Sequence, residues 1–286
     1  MPTNTVNFVK IAWIGKHFGE EPPLVGKRGA GAIFFSGCNL RCVYCQNYQI
    51  SQQNLGEKYS IDELVAAMLK LQKNGALNID LVTPTIWLKQ IRQAIIKAKE
   101  KGLKIPIIWN SNAYENAEDI KTLKGLVDVY LPDFKYGDEN LAFRYSGAKN
   151  YVEKAKKTIK EMLAQVGNPK LSKDTAKSGI FVRHLILPGQ IKNSFRVLEI
   201  LADLGPGLCL SLMTQYRPVY RAKEFPEINR NIRKEEFKKV FNYSLRLGFK
   251  NGWTQKMNNQ MGFLPDFTKK NPFSKKVCQN ADKRDF

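Results

Sequence analysis

The sequence lacks any run of eighteen apolar residues, so no helix of membrane-spanning length is expected. Residues Met1 to Lys16 lack a basic start followed by an apolar block, so no secretory leader is expected. Cysteines number five, and three of them are clustered, which argues against a disulfide framework. These absences predict a protein of the reducing cytoplasm that does not bind membranes.

Acidic residues are also scarce, with 26 Asp and Glu against 46 Lys and Arg and a net charge of +20 at pH 7. Nucleic acid or an acidic protein would suit such a surplus. The basic residues recur along helix faces, as at Lys154, Lys157 and Lys160, and no aromatic residues alternate with them. We therefore favour a solvated surface, and nucleic acid stays the less favoured partner.

What the sequence does contain is a regular alternation of short apolar runs and amphipathic segments. The predicted strands are residues 30–36, 79–82, 105–109, 127–131, 180–187 and 208–213. The predicted helices are residues 60–71, 86–101, 116–123, 150–166, 194–204 and 233–247. This alternation predicts βαβ units around a parallel sheet, as an open partial barrel or a doubly wound sheet. In either architecture, sites form at the carboxyl ends of the strands.

Three regions are expected along the chain. They are an irregular lead-in over residues 1–29, a core over residues 30–255, and a basic tail over residues 256–286 that is peripheral or disordered. Within the lead-in, Glu20-Glu21-Pro22-Pro23 is expected to be extended. Residues 168–178 are expected to form a loop insertion. Cys278 in the tail and Cys209 in an apolar strand are expected to be bystanders.

The most informative stretch is residues 37–47, where Cys38, Cys42 and Cys45 lie within eight positions. Cysteine thiolates bind zinc or iron–sulfur clusters. A structural zinc site needs a fourth ligand, and a ferredoxin-type cluster needs four cysteines. Here there is no fourth cysteine nearby and the chain has only two histidines. The count favours a four-iron cluster with one iron open to a non-protein ligand, with zinc and plain electron transfer as alternatives.

The spacing Cys38-x3-Cys42-x2-Cys45, with Tyr44 before the last cysteine and a strand before the first, resembles the radical S-adenosylmethionine (SAM) superfamily. The resemblance implies a [4Fe-4S] cluster whose open iron binds SAM. It implies reductive cleavage of SAM to methionine and a 5′-deoxyadenosyl radical, which takes hydrogen from a substrate. It also implies a partial (β/α)6 barrel, in agreement with the six predicted strands.

Over residues 15–255 the chain is similar to the pyruvate formate-lyase activating enzyme-like group, and more closely to its PflX-type branch. The matching segments are Glu20–Pro23, Phe34–Cys42, Leu131–Tyr136 and Arg183–Gly189. The resemblance implies a reductant such as flavodoxin or ferredoxin, for which Lys27, Arg28 and Arg41 would provide a basic surface. It further implies a protein substrate, as in glycyl-radical enzyme activation. Radical modification of RNA or a peptide, and a non-enzymatic iron–sulfur protein, are the alternatives.

The same resemblance assigns the first SAM contacts. Asp133 and Lys135 match a family segment that contacts SAM, in which the lysine neutralises the methionyl carboxylate. A solvated turn is the alternative for this segment. Tyr44, Cys45 and Gln46 match positions that also touch SAM, with Tyr44 expected near the adenine.

Two segments depart from the family pattern. Thr83 and Thr85 stand where activating enzymes carry a Gly-Gly-Glu segment, so the backbone approach to SAM is expected to differ. Tyr216 follows a strand where those enzymes place a SAM-contacting histidine. Asn110 and Asn112 match a family turn after the third strand, and we expect them in the cavity.

Arg183 and His184 are neighbours on a predicted strand, so their side chains point to opposite faces. Arg183 is expected to face the cavity and to bind a carboxylate of SAM or substrate, because its planar fork makes two-point contacts. His184 is expected to be a buried histidine with its hydrogen bonds satisfied.

Overall fold

The computed structural model describes residues 7–255 and 264–273. The strands within these residues are β1 (Phe8–His17), β2 (Ala30–Phe35), β3 (Glu57–Ser60), β4 (Ile79–Val82), β5 (Ile107–Ser111), β6 (Val129–Pro132), β7 (Lys170–Ser172), β8 (Thr175–Leu185), β9 (Cys209–Met213) and β10 (Gly252–Thr254). The helices are α1 (Pro22–Val25), α2 (Tyr48–Ser51), α3 (Ile61–Lys73), α4 (Leu88–Glu100), α5 (Ala117–Lys121), α6 (Glu139–Ser146), α7 (Tyr151–Val166), α8 (Ile191–Leu204) and α9 (Lys234–Arg246). None of these helices is both long enough and apolar enough to cross a bilayer.

The strands form one curved mixed sheet in the order β10-β9-β8-β6-β5-β4-β2-β1-β3, with β7 paired to β8 alone. From β2 to β10 the neighbouring strands along this path run parallel. At the other edge β1 is antiparallel to β2, and β3 is antiparallel to β1. The sheet therefore stays open, and the predicted α/β partial barrel is confirmed. The six predicted strands correspond to β2, β4, β5, β6, β8 and β9.

Side-chain alternation gives the sheet two apolar faces. On the outer face Trp109 and Tyr130 pack under the helices in the main core. On the inner face Ile108 and Val129 pack against Leu24 of α1, which is fully buried. Helix α1, which lies between β1 and β2 in the chain, therefore fills the inside of the open barrel, below the carboxyl ends of the strands.

The expectation of an irregular lead-in over residues 1–29 is wrong for its described part. Residues Phe8–His17 form β1, whose apolar residues occur on both faces and so do not alternate as in a half-buried strand. The expected extended conformation at Pro22 and Pro23 is also wrong, because these residues begin α1. Proline is tolerated there, since the first helical N–H groups have no partner within the helix.

The expected loop insertion over residues 168–178 is instead a hairpin. Residues Lys170–Ser172 pair antiparallel with the start of β8. Lys173 and Asp174 form the turn, and both have positive φ, of 47° and 60°. The hairpin turn is made by the backbone conformations of polar residues, so the spacing of apolar residues does not predict it.

Part of the tail also differs from its expected peripheral position. Phe267 is 7% exposed and packs with Phe34 and Val82. The ring of Phe273 lies 4.3 Å from that of His17 and 5.0 Å from that of Trp13, between ring centroids. Residues 264–273 thus cover the β1–β2 edge beside the strand ends. The rest of the tail, including Cys278, lies outside the described residues.

Candidate active site

The cysteine loop leaves the carboxyl end of β2. At Gly37 φ is +86°, a backbone conformation that glycine adopts without strain and that other residues rarely adopt. The loop is held from the far side by the end of α6, where the backbone N–H of Arg41 donates to the carbonyl of Ser146 at 2.9 Å. The N–H of Val43 donates to the carbonyl of Tyr145 at 2.8 Å. These contacts turn the loop back over the barrel mouth.

The three cysteine side chains of this loop line one cavity of about 230 Å³. Each sulfur has a polar neighbour: Ser146 Oγ donates to Cys42 Sγ at 2.9 Å, Ser51 Oγ lies 3.1 Å from Cys45 Sγ, and Asn112 Nδ2 donates to Cys38 Sγ at 3.4 Å.

Burial raises the pKa of all three thiols, and that of Cys42 to about 12. Without a metal they are therefore protonated at neutral pH, and metal uptake displaces the protons. Within residues 7–255 and 264–273, no three His, Cys, Asp or Glu side chains are placed to hold a single metal ion. The donors at the loop are three thiols on residues that line one cavity, and such a donor set fits a soft iron–sulfur group.

Most of the predicted SAM contacts lie in the same cavity. Parallel strands bring their carboxyl ends to one edge, so residues far apart in sequence meet there. The predicted residues that line the cavity with the cysteines are Tyr44, Gln46, Thr83, Asn110, Asn112, Asp133, Lys135 and Arg183.

Two predicted contacts do not line this cavity. Thr85 lies beyond the strand end, where its hydroxyl donates to Glu115 at 3.0 Å. The hydroxyl of Tyr216 donates to the carbonyl of Ile228 at 2.8 Å, and its ring packs 5.6 Å from that of Tyr44. The chain turns inward after β9, which places Tyr216 behind the cavity wall.

An ion-pair network lines the same cavity as the cysteines. Lys135 Nζ lies 2.7 Å from Asp133 Oδ2, and Arg183 Nε lies 2.6 Å from Asp133 Oδ1. Arg183 also donates to Glu20 at 2.7 Å and to Asn110 at 2.7 Å. Burial would raise the pKa of Asp133, but the charges of Arg183 and Lys135 outweigh it and leave that pKa below its ordinary value.

Arg183 faces the cavity as predicted, and its expected contact with a carboxylate of SAM or substrate stays a prediction. Within the protein its guanidinium pairs with the carboxylates of Glu20 and Asp133. His184 points to the opposite face, where its two ring nitrogens meet the carbonyl of Phe134 and the hydroxyl of Ser194, each at 2.8 Å. Burial lowers the pKa of His184 to about 4, consistent with a neutral, fully bonded histidine.

Several lining residues were not predicted. Glu20 and Glu21 come from the lead-in, and Phe273 comes from the tail. Gln215 accepts a hydrogen bond at its carbonyl from Gln46 at 2.8 Å. The Glu-Glu-Pro-Pro segment was a family match, but nothing in its local pattern placed it inside the barrel. Phe273 is a single aromatic residue outside any apolar run, so the sequence around it does not predict that it lines the cavity.

Thr83 has an unusual backbone conformation for a β-branched residue, with φ of +60°. Its N–H donates to the carbonyl of Asn110 at 2.9 Å, which fixes it at the cavity wall. Activating enzymes are expected to carry glycine here, and the backbone adopts a conformation that glycine accepts without strain. Thr83 keeps this unfavourable backbone conformation at the cavity wall, which indicates that the surrounding structure holds it there.

Replacing Thr83 with glycine is expected to raise the free energy of unfolding by about 0.5–1 kcal/mol, since relief of left-handed strain outweighs the entropy cost of glycine. Urea unfolding followed by circular dichroism measures this. The matched control is Thr122→Gly, because Thr122 has an ordinary φ of −69°. The control should lose stability, and a similar loss in Thr83→Gly would contradict the argument.

The family model described as the Radical SAM superfamily matches residues 32–196. This chain belongs to the radical SAM superfamily. The matched span covers the cysteine loop, the wall of Asp133 and Lys135, and Arg183.

Relatives found by sequence agree with this assignment. An uncharacterised protein from Methanocaldococcus jannaschii is 34% identical over 234 residues, or 78% of this chain and 63% of that protein. A pyruvate formate-lyase-activating enzyme from Clostridium pasteurianum is 26% identical over 161 residues, or 54% of this chain and 61% of that enzyme. The chain therefore spans about three fifths of the length of these relatives.

Among solved structures, Streptococcus suis SuiB bound to the precursor peptide SuiA aligns with a TM-score of 0.55 at 13% identity, covering 77% of this chain and 47% of SuiB. The hydrogenase maturase HydG from Carboxydothermus hydrogenoformans aligns with a TM-score of 0.51 at 15% identity, covering 76% of this chain and 50% of HydG. At such low identities these likenesses support the fold alone.

Proposed function

We propose that this chain is an enzyme that binds a [4Fe-4S] cluster through Cys38, Cys42 and Cys45 and cleaves SAM reductively. The observation that supports this most strongly is that the three sulfurs and the ammonium of Lys135 line one cavity. The bound cluster would supply the electron that converts SAM to methionine and a 5′-deoxyadenosyl radical. The protein's own residues bind, orient and enclose the reactants.

Lys135 is the residue that we assign to the SAM carboxylate. Burial would lower its pKa, but the charge of Asp133 outweighs it and raises that pKa, so the side chain stays an ammonium. Lys135 is 16% exposed at the side chain, and in this desolvated setting a cation pairs strongly with a carboxylate. Asp133 pairs directly with Lys135 and is itself held by Arg183.

Apolar side chains also line the cavity and would help to exclude water from the reacting centre. They are Phe34, Val82, Met213 and Phe273. A reactive radical needs such an enclosure, which keeps out oxygen and other molecules that would react with it. We assign Tyr44 and Gln46, on the cysteine loop, to the remaining SAM contacts.

For the substrate, we propose a protein or peptide partner. This rests on similarity to an enzyme named for activating pyruvate formate-lyase and on the shared fold with a protein solved with a precursor peptide. Within the family we place the chain near the PflX-type branch, on the segments Glu20–Pro23 and Arg183–Gly189. We propose that a flavodoxin or ferredoxin is the reductant. We also propose that this chain is located in the cytoplasm.

The test is anaerobic reconstitution with iron and sulfide, reduction with dithionite, and addition of SAM. We expect methionine and 5′-deoxyadenosine in equal amounts, quantified by liquid chromatography, and none when dithionite is left out. A reconstituted and reduced protein that left SAM intact would instead support the electron-carrier alternative. Failure to take up iron at all would refute the cluster assignment.

A further inference from the structure

A chain of hydroxyl groups runs from beside the cavity to the sulfur of Cys42. Tyr44 Oη lies 2.7 Å from Tyr136 Oη, which lies 2.6 Å from Ser146 Oγ. Ser146 Oγ lies 2.9 Å from Cys42 Sγ. All four side chains are buried, with at most 8% of each exposed. These contacts form one continuous polar line through an apolar region.

The direction of the hydrogen bonds along this series of hydroxyl groups is set by the sulfur of Cys42 at its end. A metal-bound thiolate can only accept hydrogen bonds, so Ser146 must donate to Cys42. The lone pairs of Ser146 then accept from Tyr136, and the oxygen of Tyr136 accepts from Tyr44. All the donors therefore point toward the sulfur, and each bond polarises the next in a buried, low-dielectric setting.

The geometry of the line is held by the fold. Ser146 ends α6, and its carbonyl accepts from the N–H of Arg41, which ties the same residue to the cysteine loop. Tyr136 is fully buried, and its ring packs edge-on against Tyr151 with centroids 5.3 Å apart. The backbone of Ser146 is therefore fixed against the cysteine loop, and the ring of Tyr136 is fixed by packing.

We propose that Ser146 is a positioning residue that sets the reduction potential of the cluster through Cys42, with Tyr136 and Tyr44 reinforcing it. This rests on the proposed function. Reduction adds negative charge that spreads onto the thiolates, so a donated hydrogen bond stabilises the reduced form more than the oxidised form. The contact to Cys42 is the shortest of the polar contacts described at the three sulfurs.

The experiment is an anaerobic redox titration of the full reconstituted chain with dithionite and mediators, without SAM, followed by the electron paramagnetic resonance signal of the reduced cluster. In Ser146→Ala the ratio of reduced to oxidised cluster at a fixed potential should fall about tenfold. For a one-electron couple this is a decrease of about 59 mV in midpoint potential. Tyr136→Phe should lower the ratio about twofold to threefold, and Tyr44→Phe less.

The matched control is Ser244→Ala, because Ser244 is equally buried but its hydroxyl donates to the carbonyl of Phe241 in α9. Its midpoint potential should equal that of the unchanged protein. An intact cluster whose potential does not move in Ser146→Ala would overturn this inference and leave the proposed function standing. If Ser146→Ala loses the cluster, Tyr136→Phe decides, and an unchanged potential there overturns the inference. A wild-type chain that takes up no cluster would overturn both proposals.

Discussion

Replacing Cys42 with alanine is expected to abolish SAM cleavage, down to the level of a protein-free control. Cys42 is the middle ligand of the proposed cluster and the most buried of the three thiols described in the loop. Two remaining sulfurs leave half of a four-iron cluster without protein ligands. We therefore expect the brown absorbance at about 400 nm and the bound iron to be lost together. Iron analysis, absorbance and 5′-deoxyadenosine formation measure the three effects.

The fold itself should survive this substitution. The loop backbone is anchored to α6 through Arg41 and Val43, and neither contact uses the Cys42 side chain. Removing one buried sulfur is expected to cost the metal-free chain only about 1 kcal/mol of unfolding free energy. The matched control is Cys209→Ala, which truncates a buried cysteine within β9. It should keep both iron and activity, and a Cys42→Ala protein with full iron content would contradict the ligand assignment.

Replacing Arg183 with methionine is expected to lower the free energy of unfolding by about 3–5 kcal/mol. Arg183 is 13% exposed and pairs with two carboxylates that are themselves nearly enclosed, Glu20 and Asp133. Methionine fills much of the same volume, so most of the loss comes from carboxylate charge left without a partner. Urea unfolding of the metal-free chain at pH 7 measures it.

The size of this loss should depend on pH. Without Arg183, burial raises the pKa of Glu20 further above its unfolded value. A carboxyl with a raised folded pKa favours the folded state only while protonated, so stability falls as pH rises from about 4.5. We therefore expect the variant to lose more stability at pH 8 than at pH 5.

Two further variants separate charge from packing at Arg183. Adding Glu20→Gln to Arg183→Met should recover part of the stability, because it removes one uncompensated carboxylate. Arg221→Ala breaks an exposed pair with Glu224, in which the side chains are 53% and 43% exposed. That control should cost less than about 1 kcal/mol. If Arg183→Met and Arg221→Ala lowered the free energy of unfolding equally, the buried ion pairs would stabilise the fold no more than an exposed pair does.

The sequence alone determined the cluster motif and most of the parallel sheet. Cys38, Cys42 and Cys45 are close because they are close in the chain, and their spacing is a local property. The six core strands are short apolar runs whose burial on both faces leaves a continuous signal. Since parallel strands share one carboxyl edge, the polar turn after the third strand favoured Asn110 and Asn112 in the cavity, whereas Asp133 and Lys135 were expected there from the resemblance to activating enzymes.

Only the tertiary structure decided what surrounds that motif. Arg183 meets Glu20 across 163 residues, and Ser146 meets Cys42 across 104, and no local pattern encodes either pair. The same holds for Phe273, which the fold brings from the tail to the cavity. Such contacts depend on how whole elements pack, because each side chain's partner is chosen by burial and geometry rather than by its neighbours in sequence. The three cysteines of the proposed cluster are thus encoded locally. The ion pairs of Arg183, the packing of Phe273 and the hydrogen bond from Ser146 to Cys42 exist only once the open barrel has folded.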